Sequence, residues 1–585
     1  MTDKTTNNRT KTIFGITLVM LLILCAVSAV KRIFVGLDVD EEYAVALAYR
    51  IANGDILIKE MWEPHMLSGL FLALPVWLFV TIRKNTEFII VALRIYGVLV
   101  QSLVCFAWYR VFRKRTSPFA ALASAMLIFY TLPKFIQTPE FANVQIWFLL
   151  LTGLCILAAD EGRRKGFYLL AGVCYVFELL TYPTLIILLP LYLILLGKKG
   201  GILRFLAPLL TFGLGAVLYV LKFVGFKTAR SNISYILSDD SHAGGMGAKL
   251  AGYAGELPAI VLHLVIYAAI AMAISALIIL LTKSKIRSRG FVILTTALFT
   301  AVAFLDQLRF WLVLQMPNVH PQYRYAALLV AAIVLYCSMR EEIRLKWSES
   351  FGVFVIGSFL AVLAILSLTN LDVKATLVHL LPAGLFWISA VGAELMGYPD
   401  KEKNSRVAVG AVTVIAVAIL LAVNCFGQTY LVRVNNEGLY EDVFFSAGGK
   451  RLSFHGPSRR IYCGYWDGEE KNANYDLITN TIPNGSRVLY VGTGNTLYLI
   501  GNSEICVPSV ISTPVFNQKT IDYFSLNPQK KPEYIVVENS GIDEEGHLKE
   551  NRFVSKEFIA WIDKLCGDKK IAANDFVTIF KTIDE

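Results

Sequence analysis

Apolar runs of about twenty residues recur along the chain from Ile13 to about Val423, with short polar stretches between them. Twenty helical residues rise about 30 Å, the thickness of a bilayer's hydrocarbon core, so this pattern predicts a polytopic α-helical membrane protein. The first run covers about Ile13 to Val35, and later ones cover about 88–109, 117–133, 144–159, 202–224, 257–281 and 290–312. Four more continue through Tyr336, Leu368, Met396 and about Val423. Residues 166–196 read as two short helices hinged at Tyr182-Pro183, because Pro183 has no amide hydrogen to continue a helix. The total is about thirteen spans. Leu67 to Ile82 is short for a span and reads as an interfacial or re-entrant helix. Beyond Val423 the pattern becomes polar and loop-punctuated. Strand-like runs at 487–491, 534–537 and 576–580, and a helix-like run at 555–565, predict a small α/β domain. The chain thus divides into a polar N-terminus (1–12), a membrane domain (13–423) whose first loop is 36–87, and a C-terminal domain (424–585).

Polar residues are densest in that first loop. Asp38, Asp40, Glu41 and Glu42 stand where the first span ends. Asp38 or Asp40 can cap a helix, and the acids after it favour the helix's positive end. Tyr43, Leu47 and Ile51 then form one apolar stripe, and Gly54 ends the helix. By spacing, Asp40 shares a face with Tyr43 and Leu47, so the helix is expected to lie on the membrane surface. A Trp62-Glu63-Pro64-His65 turn follows. On pattern alone the acids either cap and solvate this helix or carry chemistry.

Composition removes other classes. Hydrophobic residues make up 56% of the 585 and charged ones 17%. The net charge of +10 comes from short basic clusters between apolar runs, at 110–115, 163–165, 198–199, 283–289, 340–346 and 401–406. That is the positive-inside pattern rather than a nucleic-acid-binding surface. It predicts a cytoplasmic N-terminus, an outward acidic loop and an outward C-terminal domain. The nine cysteines are scattered, with no CxxC. No small-x-small cleavage site follows the first run, so that segment is expected to remain as an anchor. The VLYVGTGN stretch at 488–495 lacks both GxGxxG and GKS/T and does not carry a nucleotide fingerprint.

DEEYAVALAYRIANG at 40–54 and WEPH at 62–65 together resemble the first outer loop of the GT-C polyprenyl-phosphate-sugar glycosyltransferases. The protein O-mannosyltransferase and lipid A aminoarabinose transferase group is the most similar. Asp40, Glu41, Tyr43, Ala46, Ala48, Asn53, Gly54, Glu63, Pro64 and His65 fit the pattern. Met66-Leu67 departs from the usual Pro-Pro. Arg94, the Leu180-Thr181-Tyr182-Pro183 hinge and Tyr323-Arg324-Tyr325 resemble further features of that family.

The resemblance implies a GT-C fold and transfer of a hexosyl or pentosyl unit. The donor would be a polyprenyl-phosphate-linked sugar, and the acceptor an envelope glycan, glycolipid or polymer. Transfer would occur on the outer face, by direct inverting displacement. Asp40 is the expected base, supported by Glu41. Glu140, close to Asn143, occupies the region where related enzymes place a second acid that shares a metal or orients the acceptor; read from its position alone it caps an interfacial helix equally well. A divalent cation, Mg or Mn, is left open. Donor phosphate needs hydrogen-bond donors, and the candidates are Arg94, Arg324, His65 and Lys59. An arginine inside an apolar span is costly without a partner, which singles out Arg94. His242 with Asp239 and Asp240 reads as a solvent-facing loop cluster. The competing reading is a non-catalytic transporter or scaffold for polyprenyl-linked precursors, to which a broken span and a membrane-embedded arginine would also belong. Against it, the two halves of the chain do not repeat one another.

Overall fold

The computed structural model describes residues 2–583 apart from 163–164, 198–199, 238–245, 283–287, 313–321, 370, 398–402, 434–438, 442–451, 464, 493, 512–514, 544–546 and 568. Its first helices are α1 (Thr2–Phe34), α2 (Val39–Ala52), α3 (Leu70–Arg83), α4 (Ile89–Phe112), α5 (Pro118–Phe129), α6 (Phe141–Gly162) and α7 (Gly166–Thr181). Among the described residues, ten helices are long and apolar enough to cross a membrane. Four shorter apolar helices, Pro118–Phe129, Gly166–Thr181, Pro183–Gly197 and Tyr323–Ser338, pack among them.

The bundle has a centre and a rim. Val373–Met396 and the 141–159 part of α6 are buried over 94% and 89% of their apolar windows, whereas Ile202–Val224 is buried over only 6%. Helices that are apolar yet exposed on most sides are stable only in lipid. The predicted hinge is present: α7 stops at Thr181, Tyr182 is extended (φ −138, ψ 104), and a 3-10 turn restarts at Pro183. At Gly97 on α4 the 136–139 loop comes so close that a Cβ would run into the carbonyl of Gln137.

Four expectations change. The stretch between the spans predicted at 202–224 and 257–281, expected as a loop, is mostly helical, with Phe226–Leu237 and then Met246–Thr282. The cluster at Asp239, Asp240 and His242 lies outside the described residues. The last span runs on to Tyr430, and α1 takes in the polar N-terminal residues from Thr2. The segment read as a short interfacial helix is an 18-residue helical run, Met66–Arg83, long enough to cross. It is held to α2 where Gly69 abuts Leu47 and Ile51.

The C-terminal domain contains a five-stranded sheet in the order Glu504–Ile505, Arg487–Val491, Tyr534–Glu538, Val577–Lys581, Lys570–Ala573. The first two pairings are parallel and the last two antiparallel. Helix Lys556–Cys566 covers it, capped by Ser555 and burying Phe558, Ile562 and Cys566 at i, i+4, i+8. This domain explains a fifth departure: α2 does not lie open on a membrane surface, because every residue from Glu41 to Arg50 is buried. The first loop is stitched to the domain by backbone bonds from Gly36 to Tyr462 (2.9 Å), Trp62 to Pro508 (2.8 Å) and Phe88 to Gly456 (3.0 Å).

Candidate active site

Asp38 has extended backbone, and its carboxylate accepts the amide of Asp40 at 3.0 Å, which caps α2. Three acids follow in the first turn. Successive helical residues point about 100° apart, so each acid meets a different partner. Glu42 turns to the C-terminal domain, where Lys471 lies 2.5 Å away and the Thr496 hydroxyl donates at 3.2 Å. Glu41 turns into the bundle and takes the Arg94 guanidinium as a fork, at 2.7 and 2.5 Å, with the Thr138 hydroxyl at 2.5 Å. Arg94 also donates to the carbonyls of Ile33 (3.0 Å) and Gly36 (2.7 Å). Asp40 faces the loops at the ends of α5 and α6. Its side chain is 17% exposed, against 1% for Glu41 and 0% for Glu42.

The partner of Asp40 is Lys134, with its ammonium 2.5 Å from the carboxylate. Lys134 sits in the short turn between α5 and α6, and it lies over the Phe141 ring at 5.0 Å. Lys134 and Phe135 both have left-handed backbone (φ 55 and 59). For side-chain-bearing residues that costs on the order of 1 kcal/mol or more each, and such strain persists where neighbouring structure enforces it.

Glu140 opens α6: its carbonyl accepts from Val144 and its carboxylate from the Asn143 amide at 3.0 Å. Asn143 in turn holds the loop by donating to the carbonyls of Ile136 (2.9 Å) and Thr138 (3.2 Å). Beside them the His65 ring stacks on Phe141 (4.8 Å) and meets Tyr182 edge-on (5.7 Å). Behind Tyr182 lies His379, whose Nδ1 shares a 2.6 Å hydrogen bond with Gln145. Within this group the second carboxylate oxygen of Glu140, the Tyr182 hydroxyl, the Asn143 carbonyl oxygen and the Gln145 amide nitrogen are buried with no hydrogen-bond partner among the described residues. Unsatisfied polar atoms are expensive in a core, and their concentration beside Asp40 marks a place built to receive polar groups.

Of the residues singled out from sequence, Asp40, Glu140, Asn143 and His65 come together here, with Glu41 and Arg94 directly behind. Lys59 does not join them. It follows α2, at the end remote from Asp40, roughly 15 Å or more along the helix, and its carbonyl accepts from the Trp62 indole (3.1 Å) and Asn527 (3.3 Å). Arg324 starts a later helix, is 4% exposed, and lies over the rings of Tyr325 (4.6 Å), Trp311 (5.2 Å) and Phe304 (5.8 Å). Its Nε and one terminal nitrogen have no hydrogen-bond partner among the described residues. Sequence reasoning missed Lys134, Gln145 and His379. The available signal was polarity within the apolar stretches TLPKFIQT, NVQIW and TLVHLLP.

Burial pushes the Glu140 carboxyl up to about 7; Lys134 opposes the shift and Asp40 adds to it. With a folded-state value above the unfolded 4.5, the folded protein keeps a proton that the unfolded chain has lost, so stability falls as pH rises from about 4.5 to 7 and is level above. The unfolding midpoint in detergent should follow that curve, and Glu140→Gln should flatten it. The full span corresponds to about 3 kcal/mol.

No protein-family model matches the chain, and no curated protein sequence does. Among solved structures, the chain is similar to the oligosaccharyltransferase AglB of Archaeoglobus fulgidus in complex with an inhibitory peptide and dolichol-phosphate. The identity is 12% over 89% of this chain and 69% of that one, with a TM-score of 0.40. A second structure of the Archaeoglobus fulgidus oligosaccharyltransferase, tethered to an acceptor peptide, gives 13% identity over 89% and 69%, with a TM-score of 0.42. ArnT from Cupriavidus metallidurans in the apo state gives 13% identity over 98% of each chain, with a TM-score of 0.35.

Proposed function

We propose that the protein is an integral-membrane glycosyltransferase. It moves a monosaccharide from a polyprenyl-phosphate donor to an envelope glycan, glycolipid or polymer on the extracytoplasmic side, with the N-terminus in the cytoplasm. The observation that carries this is a partly exposed carboxylate, Asp40, fixed at a helix start where orphaned buried polar atoms converge. The first-loop resemblance supports the same reading. In the displacement, the acceptor oxygen attacks the anomeric carbon from the face opposite the phosphate. The carbon–oxygen bond to phosphate breaks, and its electron pair leaves on the phosphate. The hydroxyl proton goes to Asp40, and the attack from the opposite face inverts the sugar carbon. Glu41 and Arg94 act as the support that fixes the first turn of α2, and Asn143 holds the loop that carries Glu140.

Arg324 is the donor-phosphate contact on this reading. A buried guanidinium caged by aromatic rings, with two nitrogens lacking hydrogen-bond acceptors among the described residues, suits an anionic ligand. Arg324→Ala should weaken donor binding about 10- to 100-fold, and Arg324→Lys should restore part of it, measured by titrating fluorescent polyprenyl-phosphate sugar in nanodiscs.

To test the function, the purified protein is given polyprenyl-phosphate-linked hexoses and pentoses with candidate acceptors, and acceptor-dependent release of polyprenyl phosphate is followed. Donor binding without release for every sugar would make the protein a carrier or scaffold.

A further inference from the structure

A cavity of about 660 Å³ opens where the C-terminal end of α2 and the last turn of α3 meet the C-terminal domain. Small-molecule sites have volumes of this order. The cavity lies beside Tyr49 to Gly54, roughly 14–20 Å along α2 from Asp40, and shares no lining residue with the group around that carboxylate. The charges in its walls cancel. The Arg50 Nε donates to Asp55 at 2.7 Å, and the Lys530 ammonium reaches the other Asp55 oxygen at 2.6 Å and Glu504 at 2.8 Å. Glu60 accepts from the Ile56 amide at 2.7 Å and from the Gln529 side chain at 2.9 Å. Lys84, exposed at the rim, balances the remaining acid. An anionic ligand would have to break a buried pair to find a cation at the floor, and a cationic one would have to displace Lys530, both of which are costly.

What the cavity offers instead is neutral. The amides of Asn53 and Asn502 and the hydroxyl of Thr81 line it, with Val80 and Ile505 as apolar ground. Asn502 donates its Nδ2 to the Lys84 carbonyl at 3.0 Å, while its Oδ1 is buried with no hydrogen-bond partner among the described residues. Both Asn502 and Lys84 hold left-handed backbone (φ 51 and 58), strain that persists only where the surroundings enforce it. Side-chain amides donate and accept at once, and so does every hydroxyl of a sugar, whose C–H faces in turn suit apolar ground.

We propose that this cavity is a second binding site, which takes a short stretch of an uncharged glycan. That the glycan is the acceptor polymer rests on the glycosyltransferase reading. A polymer held there stays at the enzyme between encounters with Asp40, so its reactive end returns at a high effective concentration without the cavity touching the reacting atoms. The acceptor is then a polymeric glycan rather than a lipid with a small headgroup.

The first arm of the experiment needs no turnover. Maltohexaose, chitohexaose and mannohexaose are titrated by calorimetry onto the wild-type protein in lipid nanodiscs, free of sugar-headed detergent, with hexagalacturonate as the charged control. At least one uncharged probe should bind with a Kd of about 1 mM or tighter, and the charged control about 10-fold more weakly. Thr81→Trp fills the cavity from an exposed position on α3, and Asn502→Gly removes the amide while keeping the left-handed backbone. Each should weaken binding about 10-fold or more with an unfolding midpoint near that of the wild type, whereas Asp40→Asn should bind as the wild type does. No binding of any uncharged probe, tighter binding of the charged control, affinity unmoved in both cavity variants, or binding lost in Asp40→Asn would each overturn the proposal. In the transfer assay, Thr81→Trp should raise KM for a polymeric acceptor about 10-fold with kcat little changed, and leave KM for a short acceptor where it was. An equal change for both acceptors would overturn the link to the polymer. Absence of transfer from the wild type with every donor would sink the glycosyltransferase reading, and the titration would still decide whether the cavity takes a glycan.

Discussion

Asp40→Asn should reduce sugar transfer by three orders of magnitude or more, while folding and donor binding stay near those of the wild type. Loss of a general base alone accounts for about 10²- to 10⁴-fold. The amide is isosteric, so the cap of α2, which depends on Asp38 and on the Asp40 backbone, is retained. What disappears is the negative charge that meets Lys134 and the site that takes the hydroxyl proton. A donor titration and an unfolding curve on the same preparation separate this outcome from misfolding. A variant that kept the wild-type rate would reduce the acids to a helix start, and the site would have to be sought elsewhere.

The second large effect is on folding. Arg94→Met should destabilise the protein by about 3–5 kcal/mol, because it leaves the Glu41 carboxylate buried without a counter-charge and strips donors from the carbonyls of Ile33 and Gly36. Glu41→Gln with Arg94→Met should recover much of that loss, since two neutral groups of similar size remove the uncompensated charge. Arg94→Lys should do poorly, because an ammonium cannot supply the fork that holds both oxygens of Glu41. The measurement is a double-mutant cycle on unfolding midpoints in detergent. Additive effects would show that the ion pair is not the unit that holds the first turn.

Much of the architecture was readable because a bilayer imposes it: length and polarity alone set the spans, and the Pro183 break and three of the five strands of the C-terminal sheet fell where predicted. Local chemistry was readable for the same reason of proximity. Asp38 to Glu42 and the Trp62–His65 turn lie within one stretch of chain, so capping and stripe arguments apply directly. Long-range pairing was not readable. Arg94 stood out as a costly residue, but nothing in the chain near it named Glu41 as its partner. Lys134 lies 94 residues from Asp40 and sits in a turn whose sequence gives no hint that two left-handed residues will aim it there. The burial of α2 was missed because an amphipathic helix beside a membrane looks the same whether lipid or a later domain covers it. What covers it is a domain whose contacts, at Lys471, Thr496, Pro508 and Val510, belong to the last quarter of the chain.

That arrangement sets an order on the protein's birth. Arg50 reaches the Pro508 carbonyl across 458 residues, and at about 5–20 residues per second the ribosome needs roughly half a minute to a minute and a half to supply it. Throughout that interval the acid-rich helix has emerged but its cover has not been made. Translation arrested before residue 508 would leave a chain with its apolar helices and its acids present, yet without the carbonyl that Arg50 meets. Residues around 508 thus close over a helix made long before them.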